Sequence, residues 1–211
     1  MSASLSGEES LHLPEFDAPP ASPLDLARLW LDQAGEHEVS EPLSMTLATA
    51  GADGRVSART VDVKRIEDRG LVFGTSAESP KGRQLAENPH AALQVYWRET
   101  MQQLRFEGRV VQLSDEESDA LFADRSLKSR AATAIADQSA VLEPRTLQDL
   151  IDDANELLAE SDDDVPRPPL WDAWRLEPDT VEFWHGSRDR MHRRLQYVHA
   201  DGSWTATRLQ P

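Results

Sequence analysis

The chain has 211 residues, with 22 Lys plus Arg against 38 Asp plus Glu, a formal charge of −16, and no cysteine. Disulfides, thiolate metal sites and cysteine nucleophiles are thereby excluded, and so acidic a chain lacks the basic footprint that nucleic acid requires. No stretch approaches the ~20 apolar residues of a membrane span, and the acidic segment Met1–Pro20 has no apolar signal-peptide core. The expectation is a cytoplasmic protein without nucleic-acid or membrane partners, large enough for one domain with its own core.

Residues 1–21, rich in Ser, Glu and Pro, read as a flexible arm, and residues 22–211 as the folded domain. Ser22-Pro23 supplies an N-cap and a proline at the first helical position. Leu24, Ala27, Trp30, Leu31 and Ala34 then recur at helical spacing, predicting a helix over Pro23–Ala34. From Met45 the pattern turns to strands: Met45–Ala50, Arg55–Val63 after the Gly51–Gly54 turn, and Leu71–Thr75 after Gly70. Arg59, in the second of these, is either a paired structural charge or a ligand to an anion. Ser79-Pro80-Lys81 opens a helix that Pro89 stops, and its free N–H groups beside Lys81 form a phosphate seat in principle. Ala91–Trp97 and Gln102–Leu113 read as a hairpin with Gln103 and Arg105 on its polar face. A capping box at Ser114–Glu117 starts a helix ending near Asp124, followed by a basic cluster of Arg125, Lys128 and Arg130 around Ser129.

Thr146 caps a helix over Leu147–Leu158, and the Pro-rich loop 161–169 leads to strands at Trp171–Glu177, Val181–His185, Arg193–Val198 and Trp204–Leu209. About eight alternating strands with a few helices predict a mainly β (α+β) protein, an antiparallel barrel with peripheral helices. The segment Phe183–Arg194 holds four arginines, two histidines and one aspartate beside two aromatic rings. That local reversal of sign suits an anionic, planar ligand. On a strand, Arg190, His192 and Arg194 share one face. Rossmann and P-loop glycine motifs, a His-Glu-x-x-His zinc signature and a Gly-x-Ser-x-Gly elbow are all missing from the sequence.

Taken together, Ser57-Ala58-Arg59-Thr60-Val61, Thr75 followed by Ser79-Pro80-Lys81, Gln103, Gln138-Ser139, Phe183-Trp184, Arg190–Arg194 and Arg208–Pro211 resemble the pyridoxamine 5′-phosphate oxidase family, over about Pro42 to Pro211. The resemblance implies a split β-barrel that binds FMN at the interface of a homodimer. It implies that Arg59 and Lys81, with Ser79 nearby, hold the FMN phosphate, and that Thr60, Val61, Asp62, Gly74 and Thr75 belong to the same cofactor site. Gln103 would hydrogen-bond the isoalloxazine ring, and Gln138, Ser139, Trp184 and Arg194 would complete the site from the partner subunit. Arg190 and His192 would orient the substrate as the catalytic pair, and Lys64, Arg125 and Ser129 match groups that grip a substrate phosphate. No metal is implied.

Two departures bear on the substrate. The family's tyrosine in the phosphate cluster is Leu121 here, and an Arg-Pro step of the vitamin B6 enzymes reads Arg125-Ser126. The stretch Tyr96–Gln103 and the Leu13–Phe16 segment are more similar to the branch that oxidises reduced phenazine carboxylic acids with O2, releasing H2O2. Two rivals follow: a pyridoxine/pyridoxamine 5′-phosphate oxidase, which the retained Lys64, Arg125 and Ser129 favour, and a non-catalytic flavin- or haem-binding split barrel, which the intact Arg190-Met191-His192 disfavours. Because arginine pairs a carboxylate as readily as a phosphate, the retained cations fit either substrate.

Overall fold

The computed structural model describes residues 5–162 and 164–211, so residues 1–4 of the expected arm and Asp163 of the acidic loop lie outside it. The strands are β1 (Ser44–Ala50), β2 (Val56–Glu67), β3 (Gly70–Ser76), β4 (His90–Trp97), β5 (Gln102–Gln112), β6 (Trp171–His185), β7 (Arg193–Ala200) and β8 (Ser203–Leu209). They pair antiparallel in the order β3-β2-β1-β4-β5-β6-β7-β8, and β3 also pairs with β6. That second pairing closes six strands into the expected barrel, with β7 and β8 as an extension.

The strand β6 makes both arrangements possible. The sequence suggests a break near Pro178, but β6 runs unbroken for 15 residues. Its first part, Trp171–Leu176, pairs with β3, while Thr180–His185 pairs with β7 and the opposite edge follows β5. Pro178 is tolerated because the β5 register shifts at Glu107/Gly108 beside it, where the ladder needs no proline N–H. Gly108 permits the close approach, since a Cβ there would stand 2.2 Å from the Glu177 carbonyl oxygen.

Helix α1 (Pro23–Glu36) seals the barrel with fully buried Trp30, whose ring meets Phe183 edge-on at 5.0 Å. The arm ahead of it is packed rather than free. A short 3-10 turn, Pro14–Phe16, buries Leu13 and Phe16 in the main core. Buried Glu15 accepts from the Trp30 indole N–H, and the Tyr197 hydroxyl donates to the Pro20 carbonyl at 2.9 Å. Polar composition hid two apolar anchors, Leu13 and Phe16, spaced by a proline turn. Around the barrel lie α2 (Pro80–Glu87), α3 (Asp115–Ala123), α4 (Leu127–Ile135) and α5 (Leu147–Glu160). In α4 the sequence shows a basic cluster rather than a helix. Ser126 caps it by accepting from the Ser129 N–H at 3.3 Å, and its alanines favour the helix.

Phe16 therefore carries core energy. Phe16→Ala is expected to lower unfolding stability by about 3–5 kcal/mol in urea titrations, the range for a buried phenylalanine; a change within ~0.5 kcal/mol would mean a free arm.

Candidate active site

The strands β2 and β3 part company within the barrel. Val63 to Glu67 pairs with β3, with a register shift between Val63 and Arg65, whereas residues 56–62 pair only with β1 among the described residues. The free edge of β2 faces a cavity of about 820 Å³ lined by Arg59, Thr60, Val61, Asp62, Lys64, Gly74, Lys81, Leu121, Arg125, Ser129, Gln138, Ser139 and Trp171. Most of the residues singled out from the sequence thus meet in one place, although they come from six different segments.

At the α2 end, Arg59 donates to the Leu47 carbonyl (3.2 Å), Thr49 Oγ1 (2.6 Å) and Ser57 Oγ (2.6 Å), all neutral acceptors. Lys81 Nζ donates to Ser79 Oγ at 3.3 Å and Gln138 Oε1 at 3.2 Å; Thr75 Oγ1 donates to that same amide oxygen at 3.2 Å. Ser79 Oγ also caps α2 by accepting from the Gly82 N–H. No carboxylate among the described residues pairs with Arg59, Lys81 or Arg125, in a chain of charge −16. Burial pulls Lys81 down to about 8, with the Arg59 charge adding to it, and burial also lowers Arg59. Two uncompensated cations share a helix N-terminus with the Thr75 and Ser79 hydroxyls, a donor set that suits an anion.

The opposite end is built differently. The Arg125 guanidinium lies 5.2 Å from the Phe122 ring centroid and 5.2 Å from that of Trp171, and its buried Nη1 has no hydrogen-bond partner. Leu121, 3 % exposed, forms the adjoining wall. Lys64 is half-exposed and bonds Asp62 at 3.3 Å. Gly74 is required beneath the floor, because a Cβ would fall 2.1 Å from the Trp171 ring. Nothing in a sequence reading pointed to Trp171, which looks like an ordinary strand-start aromatic.

Gln138 and Ser139, expected at a cofactor site shared with a partner, line the cavity of their own chain beside Lys81. Ser139 reaches it with φ +71°, a left-handed conformation that costs a non-glycine residue roughly 1–2 kcal/mol.

The remaining residues form a separate cluster on the outer face of β5–β7 and are not in the lining of this cavity. Gln103 stands opposite Trp184, which stands opposite Arg194. Gln103 Oε1 accepts from Gln94 Nε2 at 3.0 Å. The Trp184 ring lies 4.8 Å from His192 and 6.2 Å from Tyr96. Arg194 is held by buried Glu182 through two hydrogen bonds of 2.9 and 3.0 Å, which raise its pKa, and Arg105 donates to the same carboxylate at 2.7 Å. Arg190 and His192 are not on a strand: they lie in the turn before β7, where Arg190 N–H donates to the Ser187 carbonyl and Arg190 has φ +71°. The shared strand face foreseen for Arg190, His192 and Arg194 is therefore absent.

Comparison with known proteins agrees with this architecture. The family model "Pyridoxamine 5′-phosphate oxidase" matches residues 31–185, and "Pyridoxine 5′-phosphate oxidase C-terminal dimerisation region" matches residues 171–211. A pyridoxine/pyridoxamine 5′-phosphate oxidase of Paraburkholderia phymatum is 46% identical, covering 96% of this chain and 93% of its own length. A dihydrophenazinedicarboxylate synthase of Burkholderia lata is 42% identical, covering 99% and 97%. Among solved structures, PhzG from Burkholderia lata 383 in complex with tetrahydrophenazine-1-carboxylic acid superposes with a TM-score of 0.93 at 41% identity, covering 97% of this chain and 100% of that one. The fold is that of a split-barrel oxidoreductase. The chain belongs to the pyridoxamine 5′-phosphate oxidase family.

The anion site makes a pH prediction. An anion binds the protonated Lys81, so affinity for inorganic phosphate should fall as pH rises through about 8. In Lys81→Met the decline should vanish and binding be weak throughout; an unchanged pH profile in that variant would remove Lys81 from the site.

Proposed function

We propose that this chain is an FMN-dependent oxidase that dehydrogenates reduced (dihydro- or tetrahydro-) phenazine carboxylic acids, working as a homodimer with FMN at the subunit interface. Uncompensated Arg59 and Lys81 at the start of α2 suit the FMN phosphate, with Thr75, Ser79 and Ser139 close by. A phosphate oxygen is a stronger acceptor than the Gln138 amide oxygen that now takes two of these donors. The unpaired edge of β2 at Thr60, Val61 and Asp62 offers main-chain groups to a flat heterocycle. Homodimerisation is supported by the division of the site into two clusters: Trp184, Arg190, His192 and Arg194 lie within the segment that matches the dimerisation region. A second copy seating that face over the cavity would bring Gln103 and these four to the FMN ring in trans.

The redox chemistry comes from the cofactor: two electrons leave the substrate with its hydrogens and end on O2 as H2O2. The protein's part is placement. Arg190 and His192 orient the substrate, and the apolar wall at Leu121 excludes water from the ring-binding end. The observation that carries the substrate class is this wall beside Arg125. A cation stacked on two rings, with a free donor and no tyrosine hydroxyl next to it, suits a flat aromatic acid, whose carboxylate an arginine can pair with two hydrogen bonds. A second reading, oxidation of pyridoxine or pyridoxamine 5′-phosphate, is favoured by Lys64 and Ser129, which line the same end and suit a phosphate.

The test is anaerobic mixing of the FMN-loaded protein with freshly reduced phenazine carboxylic acid and, separately, with pyridoxamine 5′-phosphate. Rapid loss of flavin colour is expected with the phenazine, slowed at least ~100-fold in Arg190→Ala with FMN still bound. Bleaching by pyridoxamine 5′-phosphate alone would return the chain to the second reading.

A further inference from the structure

The segment around residues 7–9, which composition assigns to a free arm, is tied to the turn that carries Arg190 and His192. Glu9 Oε1 accepts from Ser187 Oγ at 2.7 Å and from the Arg188 N–H at 2.8 Å, and its other oxygen lies 3.7 Å from Arg188 Nη1. The Gly7 carbonyl accepts from Arg188 Nη2 at 3.1 Å. On the other side, Glu8 N–H donates to the Glu99 carbonyl at 2.8 Å. The approach is tight enough to demand glycine, because a Cβ on Gly7 would stand 2.1 Å from the Arg98 carbonyl oxygen. The carboxylate of Glu9 is held ionised below its usual range, first by the Arg188 N–H and then by Ser187.

Within the turn, Ser187 has three tasks. Its hydroxyl has one proton to share between Glu9 and Asp189 Oδ1, the latter at 2.6 Å, and Asp189 Oδ1 in turn accepts from the Met191 N–H at 2.8 Å. Its carbonyl accepts from Arg190 N–H. Its own N–H donates to His192 Nδ1 at 3.1 Å. A backbone N–H can only donate, so Nδ1 must be the acceptor. A neutral His192 then carries its proton on Nε2, the atom left for a ligand. The Trp184 ring lies 4.8 Å away, tilted by 44° to the imidazole.

From this chain of contacts we infer that Glu9 is a positioning residue: by fixing Ser187 it selects the Nε2–H tautomer of His192 and so sets which ring atom meets the substrate. The inference concerns the histidine's state; its value for catalysis rests on the function proposed above. Without Glu9, Ser187 loses an acceptor of its hydroxyl and the acceptor of the next residue's N–H, and the contact of its own N–H with Nδ1, which decides the tautomer, loosens with them. A glutamine retains an oxygen that can accept both hydrogen bonds, so it should substitute for the carboxylate even though the ion pair with Arg188 is lost.

The test uses the full-length FMN-loaded protein without substrate. Long-range ¹⁵N correlation spectra of the histidine rings, with His192 assigned by its loss in His192→Asn, report the tautomer directly. Wild type and Glu9→Gln should show one neutral form, protonated at Nε2, and Glu9→Ala a mixture of both. Glu9→Ala should also lower kcat about 10- to 100-fold with FMN affinity unchanged, and Glu9→Gln should restore most of it. An unaltered single tautomer in Glu9→Ala would overturn the inference whatever the activity. A mixed tautomer with undiminished turnover would uphold the positioning and remove His192 from the chemistry, which counts against the proposed function instead.

Discussion

The parting of β2 from β3 after Val63 is the constraint on which the rest of this molecule depends. A barrel whose strands paired along their whole length would bury that edge in a ladder. Here β6 bridges the opening by pairing with β3 over its first part and with β7 over its second, so the barrel closes while residues 56–62 keep a free edge. Backbone groups there cannot stay unsatisfied in a closed interior. The cavity beside them supplies room for water or for a ligand with its own donors and acceptors.

Charge follows from that geometry. The protein is strongly acidic, yet the cavity contains cations with no carboxylate partner among the described residues. Burying Arg59 and Lys81 without an anion lowers both pKa values, with the Arg59 charge adding to the shift of Lys81, and costs stability. Elsewhere the same chain pairs the arginines it takes out of solvent: Arg167 meets Asp115, Asp119 and Asp172, and Arg175 meets Glu177. The contrast is what supports the proposal that the unpaired set receives an external anion.

Much of this was legible in the sequence, and for identifiable reasons. Strands β1–β5 and helices α1, α2, α3 and α5 follow from alternation, proline stops and capping residues that act over a few positions. The cavity's membership, from Arg59 to Ser139, came from a family pattern, since no local rule brings six segments together. What escaped was long-range. The continuity of β6 through Pro178 depends on a bulge in the neighbouring strand. The anchoring of the arm depends on Leu13 and Phe16 finding the core, and on Glu9 finding a turn nearly 180 residues away. The nearness of Gln138 to its own Lys81 also escaped, because it depends on α4, unseen in the sequence, folding the chain back.

The most direct test of the central claim compares FMN with riboflavin, which differ only by the phosphate, in fluorescence-quenching titrations of the protein freed of flavin. If Arg59, Lys81 and the start of α2 form the phosphate seat, FMN should bind at least ~100-fold more tightly, as two charge-assisted contacts would give. That preference should collapse in Arg59→Ala and in Lys81→Ala. Equal affinity for the two flavins, or an FMN preference untouched by both substitutions, would contradict the account.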